Sequence, residues 1–124
     1  MDIIGNYKNV LTKKYSDFKG RAGRTEYWLF VLVNVAISIV YQILVSVSGD
    51  NATARLVISA IFGLFYLAIL VPGLAISVRR MHDIGKGGEW IFINFIPVIG
   101  AIWFLVLCIK EGEPAANRFG EPQP

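Results

Sequence analysis

Three stretches of this chain contain no Asp, Glu, Lys, Arg or His: Tyr27 to Ser48, Leu56 to Val78 and Trp90 to Ile109, of 22, 23 and 20 residues. As helices rising ~1.5 Å per residue they would be about 33, 35 and 30 Å long, and the hydrocarbon core of a bilayer is ~30 Å thick. Apolar runs of roughly 10–14 residues fit a soluble core, whereas runs of about 20 point to membrane spans. A soluble bundle would also need polar outer stripes on its helices, and these segments have none. Together they occupy 65 of 124 residues, leaving no room for a separate soluble domain. The expected fold class is an all-α membrane protein: three transmembrane helices (27–48, 56–78, 90–109) preceded by an amphipathic interfacial helix. The whole chain, 1–124, reads as one membrane domain with a basic arm at 1–26 and a polar tail at 110–124.

The arm has helical periodicity. Ile3, Ile4, Tyr7, Val10, Leu11, Tyr15 and Phe18 recur at i, i+3, i+4, i+7, with Lys8, Thr12, Lys13, Ser16 and Asp17 between them. Lysines flanking the apolar stripe favour a helix lying in the head-group layer over one packed on the end of the bundle. Gly20 is the expected stop, and Thr25 is the expected cap of the next helix, with Glu26 in its first turn. The first apolar stretch fits a signal peptide poorly, because 26 residues precede a run of 22, although Ser46 and Ser48 stand at −3 and −1 before Gly49.

Orientation follows from the Lys and Arg beside the spans. The arm holds six (Lys8, Lys13, Lys14, Lys19, Arg21, Arg24), the first loop one (Arg55), the second loop three (Arg79, Arg80, Lys86) and the tail two (Lys110, Arg118). Placing the arm and second loop in the cytoplasm gives nine bases inside against three outside. Three spans then put the tail on the outer side. Pro72-Gly73 and Pro97 are expected kinks, whose freed carbonyls need partners from neighbouring helices. Ser59/Gly63 and Gly73/Ser77 are small-residue pairs suited to close helix packing, and the amides Asn34, Gln42 and Asn94 are expected to hydrogen-bond between helices.

A formal charge of +3 with the bases beside membrane segments suits anionic head groups and not nucleic acid. One Cys and one His cannot form an intrachain disulfide and make a poor metal set. No metal and no cofactor is expected. Cys108, inside the third apolar stretch, reads as a small hydrophobe. The sequon Asn51-Ala52-Thr53 lies too near the membrane to be a plausible glycosylation site.

Two polar clusters remain. One is Phe18-Lys-Gly-Arg-Ala-Gly-Arg-Thr-Glu-Tyr-Trp28; the other is Pro72 to Trp90, containing Arg79-Arg80-Met81-His82-Asp83-Ile84-Gly85. On these residues the chain resembles the bacterial inner-membrane proteins of the "domain of unknown function 805", the YhaH/YhaI type. The matching positions are Phe18, Gly20, Arg21, Arg24, Glu26, Trp28, Pro72, Arg79, Arg80, His82, Asp83, Gly85, Gly88 and Trp90, with Pro114, Asn117, Arg118, Phe119 and Gly120 in the tail. Met81 replaces the usual Leu and Glu89 an aromatic. The resemblance covers nearly the whole chain and implies a multi-span protein of the bacterial inner (plasma) membrane, from a family with no assigned activity.

His82 and Asp83 are sequence neighbours, and on a helix they point about 100° apart, so they make no catalytic dyad. No Ser or Cys nucleophile lies near them in sequence, and Gly85-Lys86-Gly87-Gly88 lacks phosphate-loop spacing. We therefore expect no catalytic residue. Topology instead gathers a belt at one membrane face: Arg21, Arg24, Glu26, Arg79, Arg80, His82, Asp83 and Lys86. Such a belt either binds a phospholipid head group or ties span ends together by ion pairs. The expected function is a non-catalytic scaffold or a binder of lipids, anionic ones included, or of membrane partners, a second copy among them. A transport subunit formed by oligomerisation is the alternative, and a lipid-modifying enzyme comes third.

Overall fold

The computed structural model describes residues 2–123; Met1 of the arm and Pro124 of the tail lie outside them. Four α-helices and one 3₁₀ helix make up the regular structure among the described residues: α1 (Ile3–Leu11), α2 (Arg24–Ser48), α3 (Ala52–Asp83), the 3₁₀ helix Gly88–Phe95 and α4 (Ile99–Ile109). The all-α class is as expected. Two helices, α2 and α3, are long and apolar enough to cross a membrane.

They pair as an antiparallel hairpin about the short turn Gly49–Asn51. Gly49 takes a φ of 56° there, and Asn51 caps α3 by accepting from the Ala54 amide at 3.0 Å. Across the pair, the Tyr41 hydroxyl meets Ser59 Oγ and the Ser38 hydroxyl meets Tyr66, both at 3.1 Å. Of the expected small-residue contacts, Ser59 is at the interface. Gly63 and Gly73 are not: a β-carbon on either would enter open space.

Pro72 does not break α3. A proline frees the carbonyl four residues earlier, here that of Ala68, and the Tyr15 hydroxyl donates to it at 2.7 Å. The helix therefore runs on to Asp83. It ends in a Schellman arrangement, with the Gly85 amide donating to the His82 carbonyl (3.0 Å), the Lys86 amide to that of Met81 (2.9 Å), and Gly85 at φ +80°. Gly85 is thus the stop of α3.

The third apolar stretch differs from expectation: 90–109 is not one helix. The 3₁₀ helix ends at Phe95, and the chain reverses at Pro97-Val98-Ile99. There the Ile99 amide donates to the Pro97 carbonyl at 2.6 Å across Val98, whose φ and ψ are 61° and −63°. This is the strained, positive-φ form of the γ-turn. A second signature is Gly100, packed so closely on the Ile93 carbonyl that any β-carbon would overlap it. Trp90 and Trp103 consequently meet edge to face, 5.8 Å between ring centres, where a continuous helix would hold them about 20 Å apart. The 11 residues of α4 span only about 16 Å. The stretch is a hairpin that returns to the end at which it started.

Helix α1 is also shorter than its periodicity suggests. It stops at Leu11, where the Thr12 hydroxyl bonds the Lys8 carbonyl at 2.6 Å, so Tyr15 and Phe18 are not on it. It rests on α2 and α3, burying Asn6 and Val10 while Ile4 faces outward. Tyr7 stacks on Phe30 and donates to Asn34 Oδ1 at 2.7 Å. The cap of α2 is Gly23, with no side-chain bond, and not Thr25; Glu26 does lie in the first turn.

Candidate functional site

The core among the described residues sits at one end of the molecule, where the start of α2, the end of α3, the end of α4 and the arm converge. Val10, Ala22, Tyr27, Phe30, Ile76, Met81, Phe104, Leu107 and Cys108 pack there. Into this apolar mass the fold drives three arginines. Arg80 is 0% exposed, Arg79 1% and Arg21 5%. Guanidinium groups at such burial need a partner for every donor.

Arg21 is the best supplied. Its Nε donates to Asp83 Oδ1 at 2.8 Å, Nη2 to the carbonyls of Asp83 (3.1 Å) and Glu113 (2.7 Å), and Nη1 to those of Ala115 (2.9 Å) and Gly120 (3.2 Å). All five N–H groups are used. Arg80 gives Nη1 to Asp83 Oδ2 (2.6 Å) and to the Ala22 carbonyl (3.0 Å), Nε to the Cys108 carbonyl (3.0 Å), and Nη2 to the Lys110 carbonyl. The Cys108 and Lys110 acceptors are at the end of α4, whose final carbonyls have no partner in their own helix and carry the negative end of its dipole. Trp28 Nε1 joins them on the Cys108 carbonyl at 3.1 Å. Arg79 donates to Glu26 Oε2 at 2.5 Å and to the Asp17 carbonyl at 3.0 Å, and its Nη2 is buried without a protein partner. Lys14 bonds the other Glu26 oxygen at 3.3 Å.

Three buried cations thus share two buried carboxylates. The excess positive charge is spread over eight main-chain carbonyls of the arm, α3, α4 and the tail. Close approach matters at Gly112 too, since a β-carbon there would overlap the Asp83 carboxylate. The Glu113 amide closes the tail onto the Asp83 carbonyl at 2.8 Å.

His82 faces another way. Its Nδ1 sits 2.8 Å from the Gly20 carbonyl, which requires the proton on Nδ1. Its ring lies flat on Phe119, 3.7 Å between centres and 1° between planes. Asn117 donates to the His82 carbonyl at 3.0 Å. Burial holds the imidazole below its usual pKa, outweighing the raising effect of the Gly20 carbonyl, with Arg118 and Arg79 also lowering it and Glu89 raising it.

Of the eight belt residues, the fold gathers six: Arg21, Glu26, Arg79, Arg80, His82 and Asp83. Arg24 is exposed at the rim, and Lys86 stands 4.1 Å over the Trp90 ring; neither joins the buried network. The tail is the part that sequence reasoning misplaced. It binds Arg21 beside the arm, so eleven of the twelve Lys and Arg lie at this end and Arg55 alone at the other. Its Asn117 and Phe119 belong to the site, and the shared motif positions at 114 and 117–120 were the available signal.

Comparison with known proteins identifies the family. The model of a family described as "Protein of unknown function (DUF805)" matches residues 15–121, from Tyr15 into the tail. The chain is 36% identical over 114 residues to Inner membrane protein YhaI of Escherichia coli (strain K12), covering 92% of this chain and 91% of that one. It is 36% identical over 119 residues to Inner membrane protein YhaH of the same strain, covering 95% and 94%. A more distant relative, Uncharacterized protein YiiR of that strain, is 34% identical over 79 residues, 64% of this chain and 49% of that one. No solved structure matches. The chain belongs to the DUF805 family, whose YhaI and YhaH members are inner membrane proteins.

Proposed function

We propose that this protein is a non-catalytic module of the bacterial inner membrane, held by a buried arginine cap and binding anionic phospholipid through the cations around that cap. It spans the bilayer twice, through α2 and α3. The third apolar stretch dips in and returns, α1 packs along the cap-side half of α2 and α3, and the rest of the arm and the tail are cytoplasmic. The orientation rests on the eleven-to-one distribution of Lys and Arg, a stronger bias than three full spans would give.

The observation that carries the non-catalytic reading is where the reactive-looking groups point. Asp83 is consumed by Arg21 and Arg80, while His82 is pinned between Gly20 and Phe119. The two do not meet; Arg21 has no N–H to spare, Arg80 commits four of its five to protein acceptors, and the uncommitted Nη2 of Arg79 is buried. Lipid binding then falls to the rim, where Lys13, Lys19, Arg24 and Lys110 are exposed and no acidic partner reaches them among the described residues. Bases at the membrane surface are worth about 1 kcal/mol each toward anionic lipid.

Two experiments test this reading. In a Cys108→Ala background, single substitutions Ser16→Cys and Glu121→Cys are expected to react with impermeant thiol reagent from the cytoplasmic side and Asp50→Cys from the other. Labelling of positions 16 and 121 from opposite sides would restore a third span. Flotation with phosphatidylglycerol and with phosphatidylcholine vesicles, using detergent-purified protein, tests the rim. The triple variant Lys13→Ala, Lys19→Ala, Arg24→Ala is expected to keep its thermal stability and lose the preference for phosphatidylglycerol. An unchanged preference would remove the lipid reading.

A further inference from the structure

Three amides lie in the apolar stretches, and two of them have one partner within the chain: Asn34, which lines the same groove as Gln42, accepts from Tyr7, and Asn94 donates to the Ile91 carbonyl at 2.9 Å. Gln42 is the third. It is exposed on α2 and has no hydrogen-bond partner among the described residues. It lies about 22 Å from Tyr27 and about 9 Å from Ser48 along the helix, well inside the hydrocarbon. Lipid offers an amide nothing, and an unmade bond at that depth costs more than it does in water.

Around Gln42 the helix surface is open. The hairpin that replaces a third span covers α2 only near Trp28 and Val31, beside Leu107 and Cys108. Below it, a groove of about 600 Å³ runs along α2, lined by Val35, Ser38, Ile39, Gln42, Ser46 and others of the same face. Gln42 and Ser46 are i, i+4 neighbours, so the groove has a polar centre-line and apolar walls.

We propose that this face of α2 is the interface of a homodimer, in which the Gln42 carboxamides of two copies bond each other. The occupant follows from symmetry and hydrogen-bonding complementarity. Copies inserted in the same direction are related by a two-fold axis along the membrane normal, which brings residue 42 of one to the depth of residue 42 of the other. A primary carboxamide carries both donors and acceptors and is therefore its own complement, so the pair exchanges two N–H···O bonds. A lipid chain in the same groove would fill the space and leave the amide unsatisfied. Side-chain bonds of this kind are an established means of association between membrane helices.

The test uses the full-length protein in native membranes, in the Cys108→Ala background. Oxidative cross-linking through Ser46→Cys is expected to give a dimer. Val40→Cys, on the opposite side of α2, is expected to give none. Gln42→Leu, which keeps the bulk and removes the hydrogen bonds, is expected to weaken dimerisation about 3- to 30-fold, the range that such bonds support. Dimer fraction would be read by dilution in detergent micelles, with thermal stability at low protein concentration checked to be that of the parent. Absence of a Ser46→Cys cross-link overturns the proposal, as does a monomer that retains phospholipid at every dilution. So does a dimer whose strength is indifferent to Gln42→Leu.

Discussion

The two ends of the α2–α3 hairpin are built on opposite principles. At the turn end, Gly49, Asp50 and Asn51 reverse the chain, and the only base, Arg55, donates to the exposed carbonyls of Val45 (3.2 Å) and Gly49 (3.1 Å). At the cap end, three arginines and two carboxylates are driven out of solvent, and the arginines are joined to carbonyls of the arm, α3, α4 and the tail. The turn is a local device whose instructions lie within a few residues. The cap is non-local, with Arg21 reaching partners up to 99 positions away. The contrast teaches where uniqueness comes from in a small membrane protein. Lipid hides apolar helix surface whatever its arrangement, so helix-to-helix burial specifies little. A buried guanidinium accepts very few arrangements.

The largest expected effect breaks the cap at its most shared acid. Asp83→Ala leaves both Arg21 and Arg80 without a carboxylate and is expected to cost at least about 3–5 kcal/mol, measured as thermal or denaturant stability in detergent. A loss below about 1 kcal/mol would mean that the carbonyls alone hold these arginines. Tyr15→Phe removes the donor to the Ala68 carbonyl at the Pro72 position and is expected to cost about 1 kcal/mol. Combining Tyr15→Phe with Pro72→Ala should recover part of that loss, because an alanine in place of the proline supplies the missing backbone amide.

The pH response is smaller and has a definite sign. His82 is held neutral in the folded protein with its pKa lowered, so the unfolded chain takes up its proton first as pH falls. Stability is then complete above about 6.5, the ordinary histidine value, and declines as the pH drops through the folded one. His82→Gln should flatten this profile between about pH 7.5 and 5. A parent whose stability rises on acidification would contradict the lowered pKa of His82. Smallest of all, Arg55→Ala at the turn end should change stability by less than about 0.5 kcal/mol; a loss as large as that of Asp83→Ala would erase the difference between the two ends.

Much of this was legible in the residues. The spans at 27–48 and 56–78 are contained in α2 and α3, because a long uncharged run has few alternatives. The meeting of Arg21, Arg79 and Arg80 follows from topology once those two helices pair. The third stretch misled because hydropathy registers how apolar a segment is and not how deep it goes: 20 apolar residues folded back on themselves satisfy the same pattern as a run that crosses. Pro97 and Gly100 marked the spot, but a proline alone reads equally well as a kink. What the sequence could not display was the acceptors. Most of the cap is bonded to main-chain carbonyls, which every residue carries and none advertises. Asn117 and Phe119 were visible as motif positions, yet a continuous third helix would have carried them to the far end of the molecule from Arg21 and His82.

The long reach of Arg21 has a consequence for how the chain is made. At a synthesis rate of about 5–20 residues per second, Arg21 leaves the ribosome roughly 5–20 s before the Gly120 carbonyl that it will bind. During that interval both long helices have been produced, and Asp83 is the first strong partner to arrive. The tail residues Glu113, Ala115 and Gly120 come last and complete a site that the arm began. Closure of the cap therefore waits until Gly120 has been made, 99 positions after Arg21. A chain interrupted before Glu113 leaves Arg21 with two of its five bonds, both to Asp83.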